Sequence, residues 1–309
     1  MLLDSAFMRH ILGLLCLLVA SAAELDVVAT IPDLADIVEE IGGNRVEVQS
    51  IAKGTENDHA VSVRPSAIVA ANRADLFVQM GLSLEHAYVP GLLSTARNKD
   101  IRPGAEGFLD VSTGWEPIQV PASLDRSQGT DLHPAGNPHF NLDPRGGRHI
   151  ADCVLQKLIE LDPDGRATYE ARHADYVRRL DAARAHWDEI GKTWLRGLKV
   201  VEYHASFDYL TAYHGMEVVG TLEPKPGIAP TPKHLATMIR TMQEKGVRII
   251  LTASWSNNRD VAEVAKQTGA LVVEIPTMVH GAKGTDTWID KMNLIHERIA
   301  EAAEATKEH

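Results

Sequence analysis

Three histidines in polar loop segments have the type and placement that metal binding requires. His59 ends the run Glu-Asn-Asp-His, His139 lies in the segment 137–144, and His204 follows a strand-like run. A neutral imidazole nitrogen is a good ligand for zinc and other late first-row ions. The three histidines are far apart in sequence, so no local finger motif is present and only the fold could bring them together.

A carboxylate, Glu223, occupies a position similar to that of two of these histidines. His59, His204 and Glu223 each follow a segment with strand character. Ligands of α/β sheets bind beyond the carboxyl ends of strands, so we expect these side chains to face one cleft between two lobes. For each residue taken alone, a surface loop position is the alternative. His133 and His280 also lie in loops, and the sequence leaves their roles open.

The hydrophobic pattern predicts an α/β fold of two similar lobes with mainly parallel sheets. Runs of β-branched residues alternate with amphipathic helix patterns in the first half, and the second half repeats this order. Such alternation is typical of parallel sheets covered by helices. We expect an N-terminal lobe over residues 24–160 and a C-terminal lobe over residues 198–309.

One long helix is predicted to join the lobes over residues 161–197. Its apolar side chains recur at helical spacing and would form a single stripe: Tyr169, Tyr176, Leu180, Ala183, Trp187, Ile190 and Trp194. About 30 helical residues at ~1.5 Å each would extend for roughly 45 Å. A helical connector of this kind is stiff, so we expect limited movement between the lobes.

The composition excludes several classes of protein. The chain has 309 residues, with 31 Lys and Arg against 42 Asp and Glu, and a net charge of -11. This acidic balance argues against sequence-independent binding of nucleic acid, which requires a basic surface. Two cysteines, Cys16 and Cys153, cannot build a disulfide framework or a cysteine-rich zinc site. Metal ligands must come from histidines and carboxylates.

The first 23 residues have the pattern of a secretory signal peptide. An apolar run over residues 11–20 is too short to span a bilayer and is followed by small residues at 21–23. Leu15 stands before Cys16, where a lipoprotein signal would have a small residue. We therefore expect export to the periplasm without a lipid anchor.

At these segments the chain resembles the cluster A-I substrate-binding proteins of zinc and manganese ABC transporters, the TroA/ZnuA-like family. The segment 137–144 reads Asn-Pro-His-Phe-Asn-Leu-Asp-Pro, close to the family signature Asp-Pro-His-x-Trp-x-Asp-Pro. His59, Pro65 and Ser66 match a first signature, although residues 60–63 depart from it. The segment 284–292 resembles a further family region near the end of the chain.

This resemblance implies a metal ion held between the lobes by His59, His139 and His204. The zinc binders of the family often carry a long histidine-rich loop before the second signature. Here the corresponding stretch, residues 128–136, contains only His133. If that loop collects zinc, this chain depends on another protein, such as a metallochaperone, or on the cleft alone.

The fourth ligand is where the chain departs from the family. The family commonly has an aspartate before a proline after the last strand, but this chain has Ile275 there. The adjacent Glu274 would point to the opposite face of the strand. We expect Glu223 to be the fourth ligand, with His280 as its competitor and water as a further alternative.

These observations predict a monomeric periplasmic receptor that captures zinc and delivers it to an ABC permease in the membrane. Three imidazoles favour Zn²⁺ over Mn²⁺, because manganese prefers oxygen ligands. One alternative is an exported zinc hydrolase, with Glu223 as general base and water at an open metal position. A metal-binding adhesin is another. No catalytic motif is present in the sequence, so we do not expect an enzyme.

Overall fold

The structure of the chain, a computed structural model, describes residues 24–121, 133–256 and 259–307. Within these ranges it contains two separate sheets of four parallel strands. The α/β fold with two similar lobes is thereby confirmed. The signal peptide predicted over residues 1–23 lies outside the described residues. None of the described helices is both long and apolar enough to cross a membrane.

The sheet of the N-terminal lobe has the strand order β2-β1-β3-β4. Its strands are β1 (Leu25–Ala29), β2 (Val46–Ser50), β3 (Leu76–Gln79) and β4 (Phe108–Asp110), with helices α1 (Pro32–Gly42), α2 (Pro65–Arg73) and α3 (Val89–Thr95) between them. β1 is interior, and Val27, Val28 and Ala29 are almost inaccessible to solvent. An apolar run without alternation is what a parallel strand covered on both faces requires.

Two long helices follow the first sheet, α4 (Gly146–Leu161) and α5 (Arg166–Ile190), and a π-helical turn over Gly191–Leu195 extends α5. On α5, the larger members of the predicted stripe are buried: Tyr169, Tyr176, Leu180 and Trp187. The long helix between the sheets is therefore confirmed, and its apolar face is what holds it against both lobes.

The sheet of the C-terminal lobe has the order β6-β5-β7-β8, which repeats the topology of the first sheet. Its strands are β5 (Lys199–Glu202), β6 (Glu217–Thr221), β7 (Ile249–Ala253) and β8 (Leu271–Ile275), with helices α6 (Asp208–His214), α7 (Pro232–Lys245) and α8 (Arg259–Thr268). In each lobe the first strand has neighbours on both sides, so a crevice opens at its carboxyl end.

The last helix, α9 (Trp288–Lys307), leaves the second sheet and packs on α5 and α1. The backbone N–H of Trp288 donates to Asp36 Oδ2 over 2.7 Å, and the Trp187 indole N–H donates to Asn293 Oδ1 over 2.7 Å. One hydrophobic core therefore includes side chains from both lobes and from the helices between them.

Candidate metal centre

The fold brings His59, His139 and His204 together in the cleft between the lobes. One ring nitrogen of each lies within 4.8 Å of those of the other two. The Nε2 atoms of His59 and His139 are 3.1 Å apart. The three side chains are only 2%, 1% and 6% exposed, so the cluster is closed to bulk water. This spacing fits three imidazoles around a single ion.

The same local turn positions His59 and His139. The backbone N–H of His59 donates to Asn57 Oδ1 over 2.9 Å, and that of His139 donates to Asn137 Oδ1 over 2.9 Å. In each case an asparagine caps the backbone two residues later, a turn that needs no regular secondary structure. The Nδ2 of Asn137 also donates to the carbonyl of Ala205 over 3.1 Å, which ties the His139 loop to the residue after His204.

His204 and Glu223 enter the cleft from the carboxyl ends of neighbouring strands β5 and β6. The Nδ1 of His204 lies 2.7 Å from Oε2 of Glu223. Glu223 is fixed by its backbone N–H, which donates to the carbonyl of Tyr203 over 2.9 Å. Within the described residues, the cluster of mutually close ligand atoms contains the three histidines and not Glu223. Glu223 therefore lies beside the cluster, in contact with one of its members.

Asp58 is a buried carboxylate that contacts the cluster from the other side. It is 1% exposed, and neither of its oxygens has a hydrogen-bond partner among the described residues. Its Oδ2 lies 3.5 Å from His139 Nδ1 and its Oδ1 lies 4.0 Å from His59 Nε2. Burial opposes ionisation, but the surrounding imidazoles outweigh it and lower the pKa of Asp58. An ionised carboxylate that accepts no hydrogen bond from the described residues and lies next to the imidazoles favours a cation there.

His280, the competitor for the fourth position, does not join this cluster. Its side chain is 63% exposed and its Nδ1 lies 3.9 Å from Asp286 Oδ1. It lines a different cavity, together with Pro32 and Glu39. His133 is close to the cluster, because its ring stacks on that of His59 with centroids 5.1 Å apart.

A buried ion pair behind the cluster fixes the His139 loop to both lobes. Lys291 of α9 donates to Asp33 at the start of α1, and both side chains are fully buried. Asp33 also accepts from Asn141 Nδ2 over 3.0 Å and from the backbone N–H of Val279 over 2.8 Å. Asn141 is two residues beyond His139, so this network holds the His139 loop in position in the cleft.

The electrostatics of the site keep its imidazoles ready for a metal. Burial lowers the pKa of His59 well below 6.5, Asp58 opposes this shift, and the neighbouring imidazoles add to it. Burial also lowers the pKa of His133 to about 3. A neutral imidazole has a lone pair for a cation, whereas an imidazolium has none. The arrangement can therefore bind a divalent ion at neutral pH without first releasing protons from His59.

Sequence reasoning did not identify the roles of Asp58, Asn137 and Asp33. The position of Asp58 directly before His59 was the available signal, since a neighbouring residue in a tight loop can reach the same ion. The two asparagines that precede the histidines by two residues gave a similar signal for the turns. Nothing in the sequence around Asp33 indicates that it contacts a lysine near the other end of the chain.

Two parallel α/β lobes, a long helix between them, and three imidazoles with a carboxylate in the cleft define a two-lobed metal-binding protein. The profile of the family described as "Zinc-uptake complex component A periplasmic" (ZnuA) matches residues 27–302. The chain therefore belongs to this family.

Curated relatives agree with this assignment. The chain is 23% identical over 293 residues to the metal ABC transporter substrate-binding lipoprotein SsaB of Streptococcus sanguinis, covering 91% of this chain and 90% of the relative. It is 24% identical over 292 residues to the manganese ABC transporter substrate-binding lipoprotein scaA of Streptococcus gordonii, with the same coverage of 91% and 90%.

Solved structures share the fold. A zinc-bound deletion mutant of ZnuA has a TM-score of 0.74 at 22% identity, covering 90% of this chain and 98% of that one. A manganese-bound periplasmic metal-binding protein from Candidatus Liberibacter asiaticus has a TM-score of 0.73 at 19% identity, again covering 90% and 98%.

Proposed function

We propose that this protein is the exported substrate-binding component of a metal ABC transporter. It captures one divalent cation with His59, His139 and His204 and releases it to a permease in the membrane. The observation that carries this proposal is the meeting of three buried imidazole nitrogens within 4.8 Å. The family and the names of the curated relatives support the transport role.

Zinc is the cation that we propose as the cargo. The relatives include proteins named for manganese, and the similar solved structures include one with zinc and one with manganese. Three imidazole nitrogens with one carboxylate match the tetrahedral preference of zinc, whereas manganese prefers more oxygen ligands. The ligand set of this chain therefore supports zinc over manganese.

Asp58 is the carboxylate that we propose to complete the coordination. Its oxygens lie beside His59 and His139 and accept no hydrogen bond in the part of the chain that the structure describes, so an ion would satisfy them. Glu223 is the alternative, but to bind the ion it would have to give up its 2.7 Å contact with His204. We assign Glu223 the task of orienting His204. Histidines that bind a metal ion usually donate their other ring N–H to a carboxylate, a backbone carbonyl or a water molecule.

The test is calorimetric titration of the purified exported chain with Zn²⁺ and with Mn²⁺. We expect one zinc ion per chain and weaker binding of manganese. Loss of a group that contacts a metal ligand, but not the metal, weakens metal binding by about 10–100-fold. We expect a larger loss of zinc affinity in each of the variants His59→Ala, His139→Ala and His204→Ala. His186→Gln is the matched control, because His186 is exposed on α5. Unchanged zinc affinity in all three alanine variants would refute the site.

Capture without turnover is the behaviour that we propose. The alternative zinc hydrolase predicts turnover of ester or peptide substrates that a chelator abolishes, so the titrated protein should be assayed for it. We further propose that the exported chain is a monomer. We also propose that it is free in the periplasm, unlike the relatives named lipoproteins, because Leu15 precedes Cys16 where a lipoprotein signal has a small residue. Size-exclusion chromatography and mass spectrometry of the secreted chain test these two points.

A further inference from the structure

His133 is a fourth imidazole at the wall of the metal centre. It is 9% exposed, and neither ring nitrogen has a hydrogen-bond partner among the described residues. Its ring centroid lies 5.1 Å from that of His59 and 6.3 Å from that of His139. It lines a small cavity of about 80 Å³ together with His139 and His204. Burying two unpaired ring nitrogens is unfavourable unless another group binds to them.

His86 extends this row of imidazoles to the surface. It is exposed, and its ring centroid lies 6.2 Å from that of His133. Its Nδ1 lies 3.1 Å from the carbonyl oxygen of Ser83. A carbonyl only accepts hydrogen bonds, so Nδ1 carries the proton and Nε2 keeps the lone pair that a metal ion needs. His86 also lines a surface cavity of about 960 Å³.

We propose that His86 and His133 form an access path for the cation, a two-imidazole site that receives hydrated zinc and passes it to His59 and His139. This inference rests on the proposed function. The three-histidine cluster is at most 6% exposed, so a fully hydrated ion does not fit against it directly. On the path, each imidazole replaces one water molecule of the hydrated ion before the ion loses its next water molecule. The cation suited to two imidazoles is a late first-row ion.

A path residue has a kinetic signature that differs from that of a final ligand. Entering and leaving ions both pass through the intermediate in which the ion is bound by the path residues. Removing a path residue therefore raises the barrier to association and the barrier to dissociation equally. The association and dissociation rate constants then fall by the same factor. Loss of a ligand in the final complex instead accelerates dissociation and raises Kd.

The experiment is stopped-flow measurement of zinc association, and of zinc release to a chromogenic chelator. His133→Phe keeps a ring stacked on His59 and removes both nitrogens, and His86→Gln removes the outer imidazole. We expect each variant to lower both rate constants about tenfold, as for one barrier raised by that factor. The double variant should be no slower than the slower single variant, because both residues belong to one path. His186→Gln, exposed on α5, is the control.

A direct measurement complements the kinetics. In a chain carrying His59→Ala, His139→Ala and His204→Ala, Cu²⁺ should still bind weakly, with two nitrogen ligands in its electron paramagnetic resonance spectrum. Adding His133→Phe and His86→Gln should remove that signal. Circular dichroism checks that each variant is folded.

Two outcomes would overturn the access path. In the first, both rate constants of His133→Phe equal those of the unaltered chain. In the second, zinc dissociates faster from His133→Phe while its association rate constant is unchanged. If the unaltered chain bound no zinc at equilibrium, the proposed function would fail instead. The two failures are therefore distinguishable.

Discussion

Oε2 of Glu223 lies 2.7 Å from Nδ1 of His204, and this contact determines which nitrogen of His204 can bind a metal ion. A carboxylate only accepts, so the proton is on Nδ1 and the lone pair is on Nε2. The backbone N–H of Gly227 also donates to Oε2, over 3.2 Å. The carboxylate thus has a fixed position and orients the ring of His204.

Replacing this carboxylate should weaken zinc binding moderately. Glu223→Gln keeps the shape of the side chain but removes its charge, and we expect zinc affinity to fall by about 10–100-fold. Asp58→Asn should lower the affinity further, because it removes a proposed ligand of the ion. Calorimetric titration of both variants under one buffer condition measures the order. A larger loss in Glu223→Gln than in Asp58→Asn would make Glu223 the fourth ligand.

The sequence pattern was sufficient to predict the two α/β lobes, and the family resemblance selected the three histidines that lie close together in the structure. A buried parallel strand such as β1 contains a continuous apolar run, here Val27, Val28 and Ala29. Loop residues at the carboxyl ends of such strands converge whatever their sequence separation. The placement of Glu223 beside His204 also follows from neighbouring strands. Whether its oxygen meets the ion or a ring nitrogen depends on side-chain rotamers, which sequence position does not determine.

Helix α4 was not predicted, and its first residues explain why. Gly146 and Gly147 open the helix, although glycine is a poor helix former. The tertiary structure requires Gly147, because a Cβ there would lie 2.6 Å from the ring of Trp288. The low helix propensity of glycine therefore disfavours a helix at these residues, whereas the close contact with the distant Trp288 requires a residue without a side chain. The helix forms because the packing contact outweighs the propensity.

The buried pair of Lys291 and Asp33 should be a strong determinant of stability. Lys291→Met leaves the Asp33 carboxylate buried without its cation, and we expect the free energy of unfolding to fall by about 3–5 kcal/mol. Urea denaturation of the metal-free protein measures this change. A matched control is Lys192→Met, which breaks an exposed pair with Glu189 whose side chains are 61% and 69% accessible. That change should fall within about 0–1 kcal/mol.

Removing both charges of the buried pair separates the loss of the attraction between them from the cost of leaving one charge buried alone. Asp33→Asn combined with Lys291→Met leaves neither charge of this pair, so its loss of stability should be smaller than the sum of the two single losses. Because Asp33 also holds Asn141 near His139, the double variant should still bind zinc more weakly. Strict additivity of the unfolding free energies would show that the two residues are not coupled.

Metal removal should lower the thermal stability of the protein. A ligand that binds only the folded state stabilises it by about 2.7 kcal/mol when its free concentration is one hundred times Kd. Thermal unfolding with zinc and then with excess chelator should therefore show a clear drop in the midpoint. The His139→Ala variant should show little difference between the two conditions. An equal drop in that variant would mean that the stabilising zinc binds elsewhere.

A second pair of buried histidines, outside the three-histidine cluster, should make the metal-free protein sensitive to acid. Nε2 of His214 lies 2.8 Å from Nε2 of His296, whose Nδ1 lies 2.6 Å from the carbonyl of Met292. The proton of His296 is therefore on Nδ1, and His214 donates to its other nitrogen. Burial lowers the pKa of His214 to about 4 and that of His296 to about 3.

The sign of the pH dependence follows from these shifts. Well above pH ~6.5, the ordinary pKa of histidine, both imidazoles are neutral in the folded and the unfolded chain. As the pH falls from there toward the folded pKa values, the unfolded chain takes up protons that the folded chain does not, so stability is lost. Asp36 and Glu85, whose pKa values burial raises to about 7, act in the opposite direction. Their contribution declines as the pH rises from ~4 to 7.

Because these effects oppose one another, the test compares slopes between variants. His214→Gln retains an N–H donor for His296 but cannot take up a proton. Its unfolding free energy should fall less steeply between pH 6.5 and pH 5 than that of the unaltered chain, by at most about 1.4 kcal/mol per pH unit. Urea denaturation in excess chelator measures the slopes, and His86→Gln, a change at an exposed histidine of the N-terminal lobe, controls for the loss of one histidine. Equal slopes for His214→Gln and the unaltered chain would show that this pair does not govern the acid sensitivity.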